Sequence, residues 1–265
     1  MTTTEAKAID PLQVMSLVEE CSIPSLTFFR AESTTIDNKL STGFDPVTQA
    51  DRIVEELLRS GLNELYGELP VIGEEHGVTG DPTSGLAWII DPIDGTRAFI
   101  SGQPQWGTLL GLLQNGTPIG GWLHMPVLHE SWWSLNGEAG GSSPHPHRGR
   151  VSNCTELASA TMVTTHPSMF QGRDAGRFWT LEAVVNLSRF GGDCHNYALL
   201  ANGDIDLVVE NQMQTYDILP LVPIIESAGG VVTDGNGNPP LEGGMIIAAA
   251  TQELHTAALK AMNEP

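Results

Sequence analysis

Leu86-Ala87-Trp88-Ile89-Ile90-Asp91-Pro92-Ile93-Asp94-Gly95-Thr96 is the stretch on which the reading of this chain turns. The apolar run from Leu86 to Ile90 predicts a buried strand that stops at an acid. Pro92 restricts Asp91 to extended conformations, so its carboxylate projects from the strand end. Asp94 follows, and Gly95 lets the backbone turn without a Cβ clash. Two carboxylates this close repel each other unless a positive charge sits between them. A hard divalent cation that prefers oxygen ligands, such as Mg²⁺, meets that need. Thr96 adds a hydroxyl, and a helix starting there would aim N–H groups at an anion. An ordinary strand-to-turn junction also collects Asp, Pro and Gly, so the spacing alone leaves both readings open. An EF-hand is excluded, because its loop alternates ligands as D-x-D-x-D-G.

Outward from this stretch, 265 residues with 40% hydrophobic content fit one large core or two abutting lobes. No apolar run approaches the roughly 20 residues that span a bilayer. Residues 1–10 lack the basic and apolar regions of a signal peptide. Cys21, Cys154 and Cys194 are odd in number and far apart, which points to neither a disulfide framework nor a zinc cluster. The expectation is a cytoplasmic protein. A net charge of −20 argues against nucleic acid as a partner. It also opposes capture of any anion by long-range steering, so a phosphate would have to be held by cations and local N–H dipoles.

Residues 8–31 carry apolar positions at helical spacing, and Ile53, Val54, Leu57, Leu58 and Leu62 mark a second helix. Thr48 with Asp51 reads as its N-terminal cap. Asp45, before Pro46, reads as a turn residue on its own. Val71-Ile72-Gly73-Glu74-Glu75 is a short strand ending in paired acids, either solvated or facing a cation. Strand-like runs at 106–113, 118–125 and 130–135 are joined by Asn115-Gly116 and end at Asn136-Gly137. Residues 137–150 read as an exposed connection, with His145 and His147 in solvent. Beyond it, strands are expected at 161–164, 205–210, 231–233 and 245–249. Helices are expected at 175–185, 195–201, 218–228 and after Thr251.

The segment W-I-I-D-P-I-D-G-T closely resembles the signature of the inositol-monophosphatase-like family of metal-dependent phosphomonoesterases. Tyr216 to Asp234, Y-D-x-x-x-x-x-x-I-x-x-A-G-G-x-x-T-D, resembles that family's second signature. Tyr216 stands where many members have Trp. The resemblance implies an α/β/α/β/α layered fold with mixed and antiparallel sheets and flanking helices. It implies a single catalytic unit with lobes of about 1–140 and 150–265, commonly a homodimer. It further implies two or three Mg²⁺ ions held by Glu74, Asp91, the Ile93 carbonyl, Asp94 and Asp217, with Glu75 a candidate beside them. The catalytic residues implied are Thr96, backed by Asp45, which orients the attacking water, and Glu74. Gly95 and Thr96 would bind phosphate oxygens through backbone N–H groups.

Three further segments resemble the histidinol-phosphate phosphatase branch: Gly95 to Gly102, Arg189 to Cys194 and Asp204 to Glu210. They imply hydrolysis of L-histidinol phosphate in histidine biosynthesis. Arg189, Asp193, Glu210 and Asp217 are then expected at the substrate. The chemistry of the substrate agrees: histidinol phosphate carries an ammonium and an imidazole, which acids accept as charged donors. Inositol hydroxyls would also find acceptors in Asp193 and Glu210, so inositol, sugar or nucleotide 3′-phosphates stay open. A metal- or phosphate-binding protein without catalysis is the reading from another class.

Overall fold

The computed structural model describes residues 8–31, 36–38 and 46–263. Asp45, the residue expected behind Thr96, lies outside them. Helix α1 (Pro11–Phe28) is followed by the antiparallel pair β1 (Ile36–Asn38) and β2 (Pro46–Thr48), then α2 (Gln49–Tyr66). Next come β3 (Val71–Gly73), β4 (Gly77–Thr79), β5 (Leu86–Asp94) and the short helix α3 (Thr96–Ile100). Strands β6 (Gly107–Gln114), β7 (Thr117–Met125), β8 (Glu130–Leu135) and β9 (Glu138–Ser142) complete the first half. The second half runs β10 (Thr161–Thr164), α4 (Arg173–Glu182), β11 (Leu187–Phe190), α5 (Cys194–Ala201) and β12 (Leu207–Met213). It ends with α6 (Thr215–Ile218), α7 (Leu221–Ser227), β13 (Val231–Asp234), β14 (Gly244–Ala249) and α8 (Gln252–Asn263).

The two sheets have the orders β4-β3-β5-β6-β7-β8-β9 and β11-β10-β12-β14-β13. In the first, only β3 and β5 run parallel; in the second, β10 is parallel to both β11 and β12. Period-two alternation shows how the layers stack. On β5, Trp88 and Ile90 join the cluster of α1 and α2, while Ala87 and Ile89 face α5 and α7. On β14, Ile246 and Ala248 face that same central helical layer, and Ile247 and Ala249 pack with α4 and α8. The result is the α/β/α/β/α sandwich, with both sheets contributing to one central core.

Local chemistry explains most element ends. Asp10 caps α1 through Leu12 and Gln13 N–H at 2.9 and 3.3 Å. Thr48 and Asp51 form a full capping box on α2, the Asp51 carboxylate accepting from Thr48 N–H at 2.8 Å and Oγ1 at 2.6 Å. Burial pushes the Asp51 carboxyl up to about 6 despite these bonds.

Three expectations need correction, and one strand is added. The stretch 137–150 is not all connection, because Asn136-Gly137 closes a hairpin and the chain returns as β9 against β8. His147 is half-buried, its ring 5.9 Å from that of Trp132. Residues 187–190 form an edge strand that periodicity could not reveal, since neither face is buried: Leu187, Arg189 and Phe190 are exposed and Ser188 only partly covered. The helix expected over 218–228 is two helices, broken at Leu219-Pro220, with Pro223 accommodated in the first turn of α7 where no N–H is required.

Candidate active site

A strand alternates its side chains, so Asp91 and Asp94 would face opposite sides of a regular β5. A bulge prevents this. Asp91 pairs with Leu109 and Asp94 with Gly107, so β5 spends one residue more than β6 over that interval. Thr108, fully buried, fixes the bulge by donating to the Pro92 carbonyl at 2.8 Å. Gly95 then turns the chain with φ 85°, and a Cβ there would come within 3.1 Å of Asp193 Cβ. This turn starts α3 at Thr96, whose Oγ1 donates to the Ile93 carbonyl at 3.1 Å.

Asp91, Asp94 and Asp217 each offer a carboxylate oxygen within 4.8 Å of one another. Asp217 comes from the other half of the chain. It occupies the third position of α6 and caps it by accepting from Gln214 N–H at 2.7 Å, rather than standing at the N-cap itself. Glu74 joins from the end of β3, its N–H on the Ile90 carbonyl at 3.2 Å and its carboxyl in hydrogen-bond contact with Asp91. Burial, then repulsion from Glu74, Asp94 and Asp217, drives the Asp91 carboxyl well above the carboxylate range. Asp217 is raised in the same way, by burial and then by Asp94. Asp94 is raised less, because Cys194 and Gly95 donate to it.

These residues fit a hard divalent cation. Asp91 Oδ1 is buried with no hydrogen-bond partner among the described residues, which costs free energy unless a cation takes the lone pairs. The clustered charges supply the oxygen donor set that Mg²⁺ selects.

The acids line one side of a cavity of about 490 Å³. Asp193 and Glu210 line it too, together with Gly95, Thr96 and Arg97. Asp193 precedes α5 with φ 46°, a strained value for a non-glycine residue. Burial raises its carboxyl well above the usual range, with Asp94 and Glu210 adding repulsion and Arg97 opposing it. Glu210, fully buried at the bulged end of β12, accepts from Thr165 N–H at 2.8 Å, Thr165 Oγ1 at 2.9 Å and Thr164 Oγ1 at 3.1 Å. Burial outweighs these donors and moves it up to about 7.

Arg189 is the expected site residue that the fold does not bring here. It stands exposed on the edge strand β11, outside the lining of this cavity. Glu75 and His76 lie in the turn after Glu74, also outside the lining. Sequence reasoning passed over Cys194, whose backbone N–H donates to Asp94 Oδ2 at 2.6 Å. It also passed over Thr165 and Tyr197, whose buried hydroxyl has no hydrogen-bond partner among the described residues. A signal existed only for Thr165, directly after the predicted strand 161–164, where strand ends collect functional groups.

The family model for the inositol monophosphatase family matches residues 23–264. The histidinol-phosphatase of Mycobacterium tuberculosis is 34% identical over 96% of this chain and 98% of its own. Inositol-1-monophosphatase ImpA of Mycolicibacterium smegmatis is 30% identical over 95% and 94% respectively. Among solved structures, an inositol monophosphatase from Zymomonas mobilis superposes with a TM-score of 0.80, at 34% identity and 95% coverage of both chains. With a bulged acidic strand end, a matching fold and near full-length similarity in hand, the chain is a phosphatase of the inositol monophosphatase family, whose members depend on a metal ion.

Proposed function

We propose that this phosphatase hydrolyses L-histidinol phosphate to L-histidinol and phosphate, using Mg²⁺. The observation that carries the reading is the charge of the cavity. Acids stand at the cluster of Asp91, Asp94 and Asp217 and again at Asp193 and Glu210, and Arg97 is the one basic side chain in the lining among the described residues. The first group would hold Mg²⁺, which when bound would offset the charge of these acids and of the phosphate and acidify a water. The second group stays anionic or shares protons, so a leaving group with an ammonium or imidazolium relieves repulsion that a neutral polyol leaves in place.

The roles follow from the geometry. Glu74, Asp91, the Ile93 carbonyl, Asp94 and Asp217 would hold two or three ions. Thr96 directs its proton at the Ile93 carbonyl, which leaves its lone pairs free to accept from the water and orient it in line. Asp45, the acceptor expected behind Thr96, would take that single proton in place of the Ile93 carbonyl and leave the lone pairs to the water. The Thr96 N–H opens α3 towards the phosphate, whereas the Gly95 N–H already bears on Asp94. Thr164 and Thr165 hold Glu210 as a rigid acceptor for the leaving group, and Asp193 approaches from the start of α5. Inositol 1-phosphate is the second reading, supported by relatives of that name.

Three free cysteines among the described residues support a cytoplasmic location, and no helix there is long and apolar enough to cross a membrane. Exposed Trp179, Val184, Leu187 and Phe190, on α4, β11 and the turn between them, support a homodimer. Phosphate release from L-histidinol phosphate by purified protein tests the function. Release that requires Mg²⁺ and stops with EDTA is expected; equal release without any divalent ion would refute the reading.

A further inference from the structure

We propose that Glu55 and Arg59, one turn apart on α2, are positioning residues that set Glu74 into the metal cluster. The inference rests on Glu74 being a metal ligand.

Glu55 is a fully buried carboxylate on a helix that carries no other part of the site. Its Oε2 accepts from the Glu75 N–H at 2.7 Å, and its Oε1 from the His76 N–H at 3.3 Å. Those are the two peptide groups that follow Glu74. Arg59 Nε donates to Glu55 Oε1 at 2.7 Å, while its Nη2 reaches the Gly77 carbonyl at 2.6 Å and its Nη1 the Thr79 hydroxyl at 3.2 Å. One ion pair therefore grips the turn after Glu74 and the β4 arm of the β3–β4 hairpin. On the opposite flank, the Glu74 N–H is held by the Ile90 carbonyl, one residue before Asp91. The backbone on either side of Glu74 is thereby tied to the helix behind it and to the strand that carries its neighbouring acids.

Gly73 records the same arrangement. A Cβ there would stand 1.9 Å from Glu55 Oε1 and 2.5 Å from Arg59 Nη2, so a side chain at this position and the ion pair exclude each other. The glycine is required by the clamp and not by backbone conformation, since its φ is not positive.

Stability is a poor reason for such a device. A buried ion pair roughly breaks even against apolar packing, because desolvation offsets the attraction. A three-residue strand closed by a turn could be packed with aliphatic side chains instead. What an apolar contact cannot do is fix two consecutive N–H groups in direction, and direction is what a metal ligand needs. Outer hydrogen bonds of this kind typically hold a factor of about 10 to 100 in metal affinity.

The test is Mg²⁺ titration by calorimetry, on protein whose fold is verified by circular dichroism, with hydrogen exchange of the Glu75 and His76 amides alongside. Glu55→Gln keeps the size but turns one acceptor into a donor facing a donor. It is expected to weaken Mg²⁺ by about 10- to 100-fold and to expose both amides to exchange. The kcat at saturating Mg²⁺ should change far less. Gly73→Ala, which displaces the carboxylate without removing it, should give the same pattern, and it decides the matter if Glu55→Gln does not fold. Arg59→Lys, keeping the charge but not the fork, should fall between these variants and wild type. Glu74→Gln separates the two readings. If it binds Mg²⁺ as wild type does, the ligand assignment is wrong and the proposal falls with it. If it binds weakly while folded Glu55→Gln and Gly73→Ala bind normally, the ligand stands and the clamp is refuted.

Discussion

Asp91 and Glu210 are both buried carboxylates facing the same cavity, and both are pushed above the usual carboxylate range by burial. They differ in what surrounds them. Asp91 is surrounded by other acids, and its Oδ1 meets no donor among the described residues. Glu210 is met by two hydroxyls and a backbone N–H from the end of β10, with Asn196 at 3.5 Å. A buried anion can be satisfied by donors supplied by the protein or by a cation from outside. On the proposed reading, the first end would be completed by a cation. The second, already met by donors of the protein, would accept from the leaving group.

The largest effect should come from breaking the first end. Asp91→Asn removes ligand charge without altering packing, so Mg²⁺ binding and turnover should fall well beyond the roughly 10- to 100-fold lost with an outer-shell partner. Normal turnover by folded Asp91→Asn would dissolve the contrast with Glu210. Thr96→Ala should be milder and differently distributed. The kcat should drop by about 100-fold, at the lower end of what one positioned proton-handling group contributes, while calorimetric Mg²⁺ affinity stays near wild type. Loss of affinity in proportion to rate would make Thr96 part of the ion site.

The smallest effect concerns stability at the second end. Glu210 is raised from 4.5 to about 7, so the folded chain keeps a proton that the unfolded chain releases. That contribution is full below pH 4.5 and is lost as pH rises through about 7. Urea melts of Glu210→Gln and wild type at pH 5 and pH 8 should therefore show the variant gaining relative to wild type at the higher pH. The swing is expected to be on the order of a few kcal/mol at most. The metal-cluster acids titrate in both proteins and cancel. An unchanged difference between the two pH values would mean that Glu210 is not held as described.

How much of this was legible beforehand follows the same division. The layered fold and the acids at the first end of the cavity were legible through the resemblance of two continuous stretches to a family signature. The residues alone gave a buried strand ending in two acids and a glycine turn. The bulge that turns Asp91 and Asp94 to one side was not legible, because it depends on β6 offering one residue fewer and on Thr108 holding Pro92. The surroundings of Glu210 were equally hidden, since Thr164 and Thr165 reach it from a separate strand 45 residues away in sequence. Arg189 shows where a motif and the cavity part company. A motif placed it beside Asp193, but the edge strand β11 leaves it exposed and outside the cavity lining. The edge strand itself has no alternation to read, and β9 was hidden by glycines that suit a turn as well as a strand.

The central claim is that the acids beyond the metal cluster select a cationic leaving group. The most direct measurement is kcat/KM for histidinol phosphate, inositol 1-phosphate, fructose 1,6-bisphosphate and a nucleotide 3′-phosphate, on wild type and on Asp193→Asn. Asp193 is the better probe, because its carboxylate makes no cap hydrogen bond to α5, and burial with repulsion from Asp94 and Glu210 outweighs the attraction of Arg97. Histidinol phosphate should have the highest value on wild type, and Asp193→Asn should erode its lead by about 10- to 100-fold, the effect of one charge-assisted contact. Inositol 1-phosphate should change less. A higher value for inositol 1-phosphate on wild type, or an equal loss of both substrates in the variant, would contradict the account.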